Sequence, residues 1–208
     1  MSQRSHMTML RSYTAADAFT IGNASCGAIA IFLCLEYVDG RHVALVWAAI
    51  GLLPLALLLD VLDGYVARLQ PSRQSRLGAD LDSLADVISF GVAPAVIGYA
   101  LGLRGGWDML CLTYFIVCGV SRLARFNVTA AELSDERTGK VRYFEGTPIP
   151  TSVILVGVLA IALGSGRVHE ALWLGSFRIG PAALHPLTLL YVASGSAMIS
   201  ATLKIPKP

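Results

Sequence analysis

The sequence predicts an all-α, polytopic membrane protein with six transmembrane helices. Three observations carry that prediction. Hydrophobic residues make up 55% of the 208 positions and charged residues only 14%, with a mean hydropathy of +0.63. Soluble domains carry about 25% charged residues, so 16 Lys and Arg with 14 Asp and Glu cannot coat a soluble globule of this size. Six apolar stretches approach the ~20 residues that a spanning helix needs. The charges gather between those stretches or in one cluster, which excludes a soluble enzyme, a disordered chain and a disulfide scaffold. A net charge of +2 is too small to imply a nucleic-acid partner.

In chain order the expected spans are Phe19–Tyr37, Val43–Leu59, Leu84–Leu103, Met109–Val120, Ile149–Leu163 and Leu184–Ile199, with the second, third and fourth helices extending past the lipid core. Thr8–Ala18 mixes Arg11 and Asp17 with Met9, Leu10 and Tyr13, and is expected to form a short juxtamembrane amphipathic helix. Six spans put both termini on one side. That side collects twelve Lys and Arg, and the other only Arg41, Arg104, Arg167 and Arg178. The bias predicts a multi-pass cell-membrane protein with both termini cytoplasmic. No linker or internal repeat divides the chain, so residues 1–208 read as one membrane domain. Cys26, Cys34, Cys111 and Cys118 lie in apolar stretches without metal-ligand clustering and read as small buried hydrophobes.

The chemistry lies in Asp60-Val-Leu-Asp63-Gly64-Tyr-Val-Ala67-Arg68 and, nine residues on, Gly78-Ala-Asp80-Leu-Asp82-Ser-Leu-Ala-Asp86. Ionisable groups at membrane depth are expensive and face a cavity when they occur. Asp60 and Asp63 are three apart and share a helix face; Asp82 and Asp86, four apart, share another. A turn at Gln70–Leu77, containing Pro71, folds the two helices antiparallel and brings the four carboxylates together. Such a group repels itself unless cations intervene. Oxygen ligands suit Mg2+, Mn2+ or Ca2+, and two such ions would clamp a phosphate or pyrophosphate. Gly64 leaves room for ligand approach, Ala67 keeps that side small, Arg68 reaches toward phosphate oxygens, and Gly78 lets the helices pack closely. These residues describe a metal-dependent phosphoryl-transfer site at a membrane face.

The same stretch resembles the signature of the CDP-alcohol phosphatidyltransferase family, D-x2-D-G-x2-A-R followed by G-x3-D-x3-D, with every fixed position present. The resemblance implies that Asp60, Asp63 and Asp82 bind metal, that Asp86 also touches metal and serves as general base, and that Asp63, Gly64, Ala67, Arg68, Gly78 and Asp82 bind the CDP-linked donor. Asp80 lies outside the pattern. Thr20 and Asn23, three apart near the start of the first span, are expected to hydrogen-bond the nucleotide or its phosphates.

Arg122 and Arg125 are three apart and are followed by Asn127, a set suited to anion capture by bidentate guanidinium groups. Arg125-Phe126-Asn127, then Phe144-Glu145-Gly146-Thr147-Pro148-Ile149-Pro150, and Thr20-Ile-Gly22-Asn23-Ala-Ser-Cys-Gly27 together resemble the membrane-embedded phosphatidylserine synthases of that family. The resemblance implies transfer of the phosphatidyl group of CDP-diacylglycerol to L-serine, with CMP released, in a homodimer held among membrane lipids. Arg122, Arg125, Asn127 and Arg142 would then face the serine carboxylate, and Glu145 its ammonium. Two alternatives stand beside this reading. Glycerol 3-phosphate or inositol phosphate acceptors need arginines too. A divalent-cation transporter would use the aspartates as a midplane site, but their place at helix ends beside Arg68 disfavours it.

Overall fold

The computed structural model describes residues 14–69, 76–135, 143–200, 202 and 204–206, and of 76, 129–135, 143–145 and 204–206 the backbone only. Helix α1 (Ala15–Gly40) opens on a capping box: Thr14 Oγ1 accepts from Asp17 N–H, and Asp17 accepts from Thr14 N–H. Of the expected amphipathic helix Thr8–Ala18, the described residues Ala15–Ala18 are the first turn of α1, and residues 8–13 lie outside the described part. Arg41, in the left-handed region at φ 55°, ends α1 and turns the chain into α2 (Val43–Leu69), which carries Pro54 within it.

The third span is one continuous helix in three pieces: α3 (Arg76–Asp86), a π-helical stretch Val87–Val92, and α4 (Ala93–Leu101). Over its most apolar window 67% of residues are buried, against 33% or less in the other three long spans, so this helix forms the centre of the bundle. α1 packs along α2, and its other side meets α3, the π stretch and α4. α5 (Gly106–Asp135) packs against α7 (Leu189–Ile199), and α6 (Val153–Gly164) lies on α4 and α2.

Among the described residues, four helices are long and apolar enough to cross a membrane: Ala15–Gly40, Val43–Leu69, Leu77–Leu101 and Gly106–Val128. Two shorter apolar helices, Ile149–Gly164 and Pro186–Ile199, complete six. α1 and α5 run past the expected spans at both ends. α2 does so only at its C-terminal end, to Leu69, and the third helix only at its start, at Arg76, where polar turns continue as helix. The third helix ends at Leu101, short of the expected Leu103, because Gly102 at φ 133° breaks it. Tyr37, Phe90, Phe115, Ile97 and Tyr191 fill the core, and Phe115 meets Tyr191 edge-on with ring centroids 5.2 Å apart.

Short strands close both ends. β1 (Tyr143–Glu145) pairs antiparallel with β4 (Lys204–Pro206) at the end where α3 begins. At the opposite end β2 (Phe177–Ile179) and β3 (Ala182–Leu184) form a hairpin that Trp107 Nε1 holds through the Ile179 carbonyl at 2.9 Å. That end is fully satisfied around Asp108. The buried carboxylate accepts from Gly105 N–H, His185 N–H and Thr188 Oγ1, each at 2.8 Å, and from His185 Nδ1. His169 is partnered there as well: the Tyr37 hydroxyl and Arg41 guanidinium meet its ring at 2.8 and 2.6 Å. Burial, then the charges of Arg41 and Arg104, hold the His169 imidazole below its usual pKa.

Candidate active site

The aspartates stand at the end of the bundle where α2 finishes and α3 begins. One carboxylate oxygen from each of Asp60, Asp82 and Asp86 lies within 4.8 Å of the others, the cluster of possible metal ligands found among the described residues. Asp60 comes from α2, and Asp82 and Asp86 from successive turns of α3, as their spacing requires. Asp63 lies outside that 4.8 Å group but within electrostatic reach of all three. It is buried, and Thr20 Oγ1 donates to its Oδ2 at 2.8 Å. Residues three apart on a helix point about 60° from one another, enough to aim Asp60 at α3 and Asp63 at α1.

Asp86 is followed at once by the π-helical stretch, a feature that recurs at functional sites. Asn23, wholly buried on α1, donates from Nδ2 to Asp86 Oδ1 at 3.2 Å. Ser89 Oγ donates to the Asn23 carbonyl at 2.8 Å. Thr20 and Asn23, expected to contact the donor, thus contact aspartates. Gly64, Ala67 and Gly78 are half-buried, and Arg68 is exposed with its guanidinium folded over Gly64.

On α5 the two arginines diverge. Arg122 turns inward, within electrostatic reach of Asp86, and Arg125 is exposed. Asn127 is engaged by Ser83: Asn127 Nδ2 donates to Ser83 Oγ at 3.0 Å, and Ser83 Oγ to Asn127 Oδ1 at 3.2 Å. That pair joins α5 to α3 beside Asp82. Glu145 lies in β1, paired with Lys204 of β4. Arg142 and the Glu145 side chain lie outside the described residues. Ser83 and Ser89 were not expected in the site, although each is within three residues of a signature aspartate and could have been sought there.

Buried polar atoms without a protein partner call for a water, an ion or a ligand to complete their bonding. Among the described residues these are Asn23 Oδ1, Asp82 Oδ1, Arg122 Nε, Thr147 Oγ1 and Ser152 Oγ. All five belong to the aspartate end of the bundle, whereas Asp108 at the far end is saturated. The unpartnered Asp82 oxygen and three converging carboxylates fit an oxygen-loving divalent cation.

Fold and site together define a polytopic membrane protein with a carboxylate-lined polar site at one end of an apolar bundle. The chain belongs to the CDP-alcohol phosphatidyltransferase family, whose family model matches residues 13–193. A Saccharomyces cerevisiae relative, a CDP-diacylglycerol–serine O-phosphatidyltransferase, is 42% identical over all of this chain and 75% of its own length. A Helicobacter pylori protein of the same name is 37% identical over 73% of this chain and 58% of its own. A Methanothermobacter thermautotrophicus archaetidylserine synthase is 37% identical over 67% of this chain and 54% of its own. The match thus spans little more than half the length of these bacterial and archaeal relatives.

Proposed function

We propose that this protein transfers the phosphatidyl group of CDP-diacylglycerol to the hydroxyl of L-serine, giving phosphatidylserine and CMP. The observation that carries the reading is the convergence of Asp60, Asp82 and Asp86 within 4.8 Å, inside an intact family signature. The names of the relatives support serine as the acceptor. The charge bias supports a cytoplasmic site with both termini on that side, and the resemblance supports a homodimer.

Asp60, Asp82 and Asp86, with Asp63 alongside, would hold Mg2+ or Mn2+. Bound there, such ions neutralise the carboxylates and supply Lewis-acid polarisation of a pyrophosphate. The protein's own groups do the rest. The acyl chains of the donor stay in lipid while its head group enters among the helix ends. Gly64 and Ala67 leave the α2 surface low for that head group, and Arg68 balances charge on its phosphates. Thr20 keeps Asp63 fixed through its hydroxyl. Arg122, its Nε buried and unpartnered, takes the serine carboxylate. Asp86 removes the proton from the serine hydroxyl, that oxygen attacks phosphorus, and CMP leaves. No covalent enzyme intermediate is needed.

The test is CMP release by the purified protein from CDP-diacylglycerol with L-serine, glycerol 3-phosphate or inositol phosphate as acceptor. Release and lipid product with serine alone are expected. Preference for either phosphorylated alcohol contradicts the reading.

A further inference from the structure

We propose that Ser89 and Asn23 are positioning residues for Asp86, with Ser89 fixing Asn23 and Asn23 fixing the carboxylate. The proposal rests on the reading of Asp86 as a metal-holding base. It reassigns Asn23 from the nucleotide to the reacting group, and gives Ser89, outside the family signature, a part in the reaction.

Three observations carry it. Asn23 has no exposed surface, and its Nδ2 donates to Asp86 Oδ1 at 3.2 Å. Ser89 is equally buried and donates to the backbone carbonyl of Asn23 at 2.8 Å. α1 therefore grips the central helix at two points three residues apart, one of them Asp86 itself. The grip needs close approach. A Cβ on Gly27 would stand 2.5 Å from Ser89 Oγ and 2.7 Å from its Cα, so only glycine there lets α1 come near enough. The third observation is the π-helical stretch, which starts directly after Asp86 and contains Ser89. Its wider turn changes the register of Ser89 relative to Asp86, so that the two residues address the carbonyl and the side-chain amide of one asparagine. With one oxygen held by a neutral donor, the Asp86 carboxylate is oriented toward Asp60 and Asp82 in advance. Partners that orient a ligating carboxylate typically matter by 10–100-fold in metal affinity or activity.

The experiment titrates Mn2+ into the purified protein by electron paramagnetic resonance, beside kcat and the donor KM for CMP release. Asn23→Ala is expected to weaken Mn2+ binding or lower kcat by roughly 10–100-fold, with the donor KM unchanged. Ser89→Ala is expected to lower the same quantity by less. Because Ser89 acts through Asn23, the double variant should be no worse than Asn23→Ala alone. If Asn23→Ala does not fold, Ser89→Ala, which deletes a single oxygen, carries the test. Wild-type Mn2+ affinity and kcat in the variants, or losses that multiply in the double variant, overturn the proposal. A wild-type protein that releases CMP but binds no Mn2+ overturns instead the functional reading on which it rests.

Discussion

Thr20 on α1 donates its hydroxyl to Asp63 Oδ2 on α2 at 2.8 Å, with both side chains buried. The bond holds Asp63 in place beside the triplet formed by Asp60, Asp82 and Asp86. It also makes α1 a structural part of the site.

Thr20→Val keeps the side-chain shape but strands a buried carboxylate oxygen, at a cost of about 1–3 kcal/mol. The expected result is a lowered unfolding temperature in detergent together with reduced CMP release. Thr20→Ser, which keeps the hydroxyl, should restore much of both. An unchanged unfolding temperature in Thr20→Val would remove the bond from the account.

Asp86 and Asp60 should fail differently. Asp86→Asn loses the base and is expected to cost at least ~10²-fold in rate, while donor affinity in the presence of Mg2+ persists in part. Asp60→Asn should damage metal and donor binding outright. Turnover and CDP-diacylglycerol affinity measured in both variants check the distinction. Near-wild-type turnover in Asp86→Asn would exclude it as the essential base.

The two arginines of α5 make unequal predictions. Arg122 is turned inward with a buried, unpartnered Nε, and Arg125 is exposed. Arg122→Lys keeps the charge but loses the planar fork. It should raise the serine KM more than the donor KM, and more than Arg125→Lys does. A serine KM unchanged by Arg122→Lys would move carboxylate recognition to another residue, with Arg142 the next to test.

At the opposite end of the bundle, His169 gives a pH dependence of stability. Burial and the nearby Arg41 and Arg104 depress its folded-state pKa below 6.5, so in the window just below 6.5 the unfolded chain binds more protons than the folded one. Stability from this group is therefore fully present above about pH 6.5 and declines as pH falls toward the lower folded value. His169→Gln should flatten that part of the stability-versus-pH curve, measured by thermal unfolding between pH 5 and 8. A wild-type curve of the same slope in the variant would contradict the assignment.

Much of this architecture is legible in the sequence because its signals are local. The apolar stretches name the spans. The four-residue step from Asp82 to Asp86 sets both on one face of α3. What was not legible depends on partners far away in the chain. Asp60 and Asp63 share a helix face, yet only the packing of α1 gives Asp63, and not Asp60, the Thr20 hydroxyl as a partner. Arg122 and Arg125 have the same spacing, and the position of α5 against the bundle turns just one of them inward. No local pattern announces the π stretch after Asp86; it accompanies the close approach of Gly27 to Ser89. His169 and His185 read as ordinary polar residues because Tyr37, Arg41 and Asp108 are remote in sequence.

The central claim is that the clustered aspartates make phosphatidyl transfer to serine depend on a divalent cation. The most direct measurement is CMP release from CDP-diacylglycerol and L-serine by purified protein stripped with a chelator and then resupplied with Mg2+ or Mn2+. The account predicts no release after stripping, recovery on adding either ion to the wild type, and no recovery in Asp60→Asn. Full turnover in metal-free buffer would contradict it.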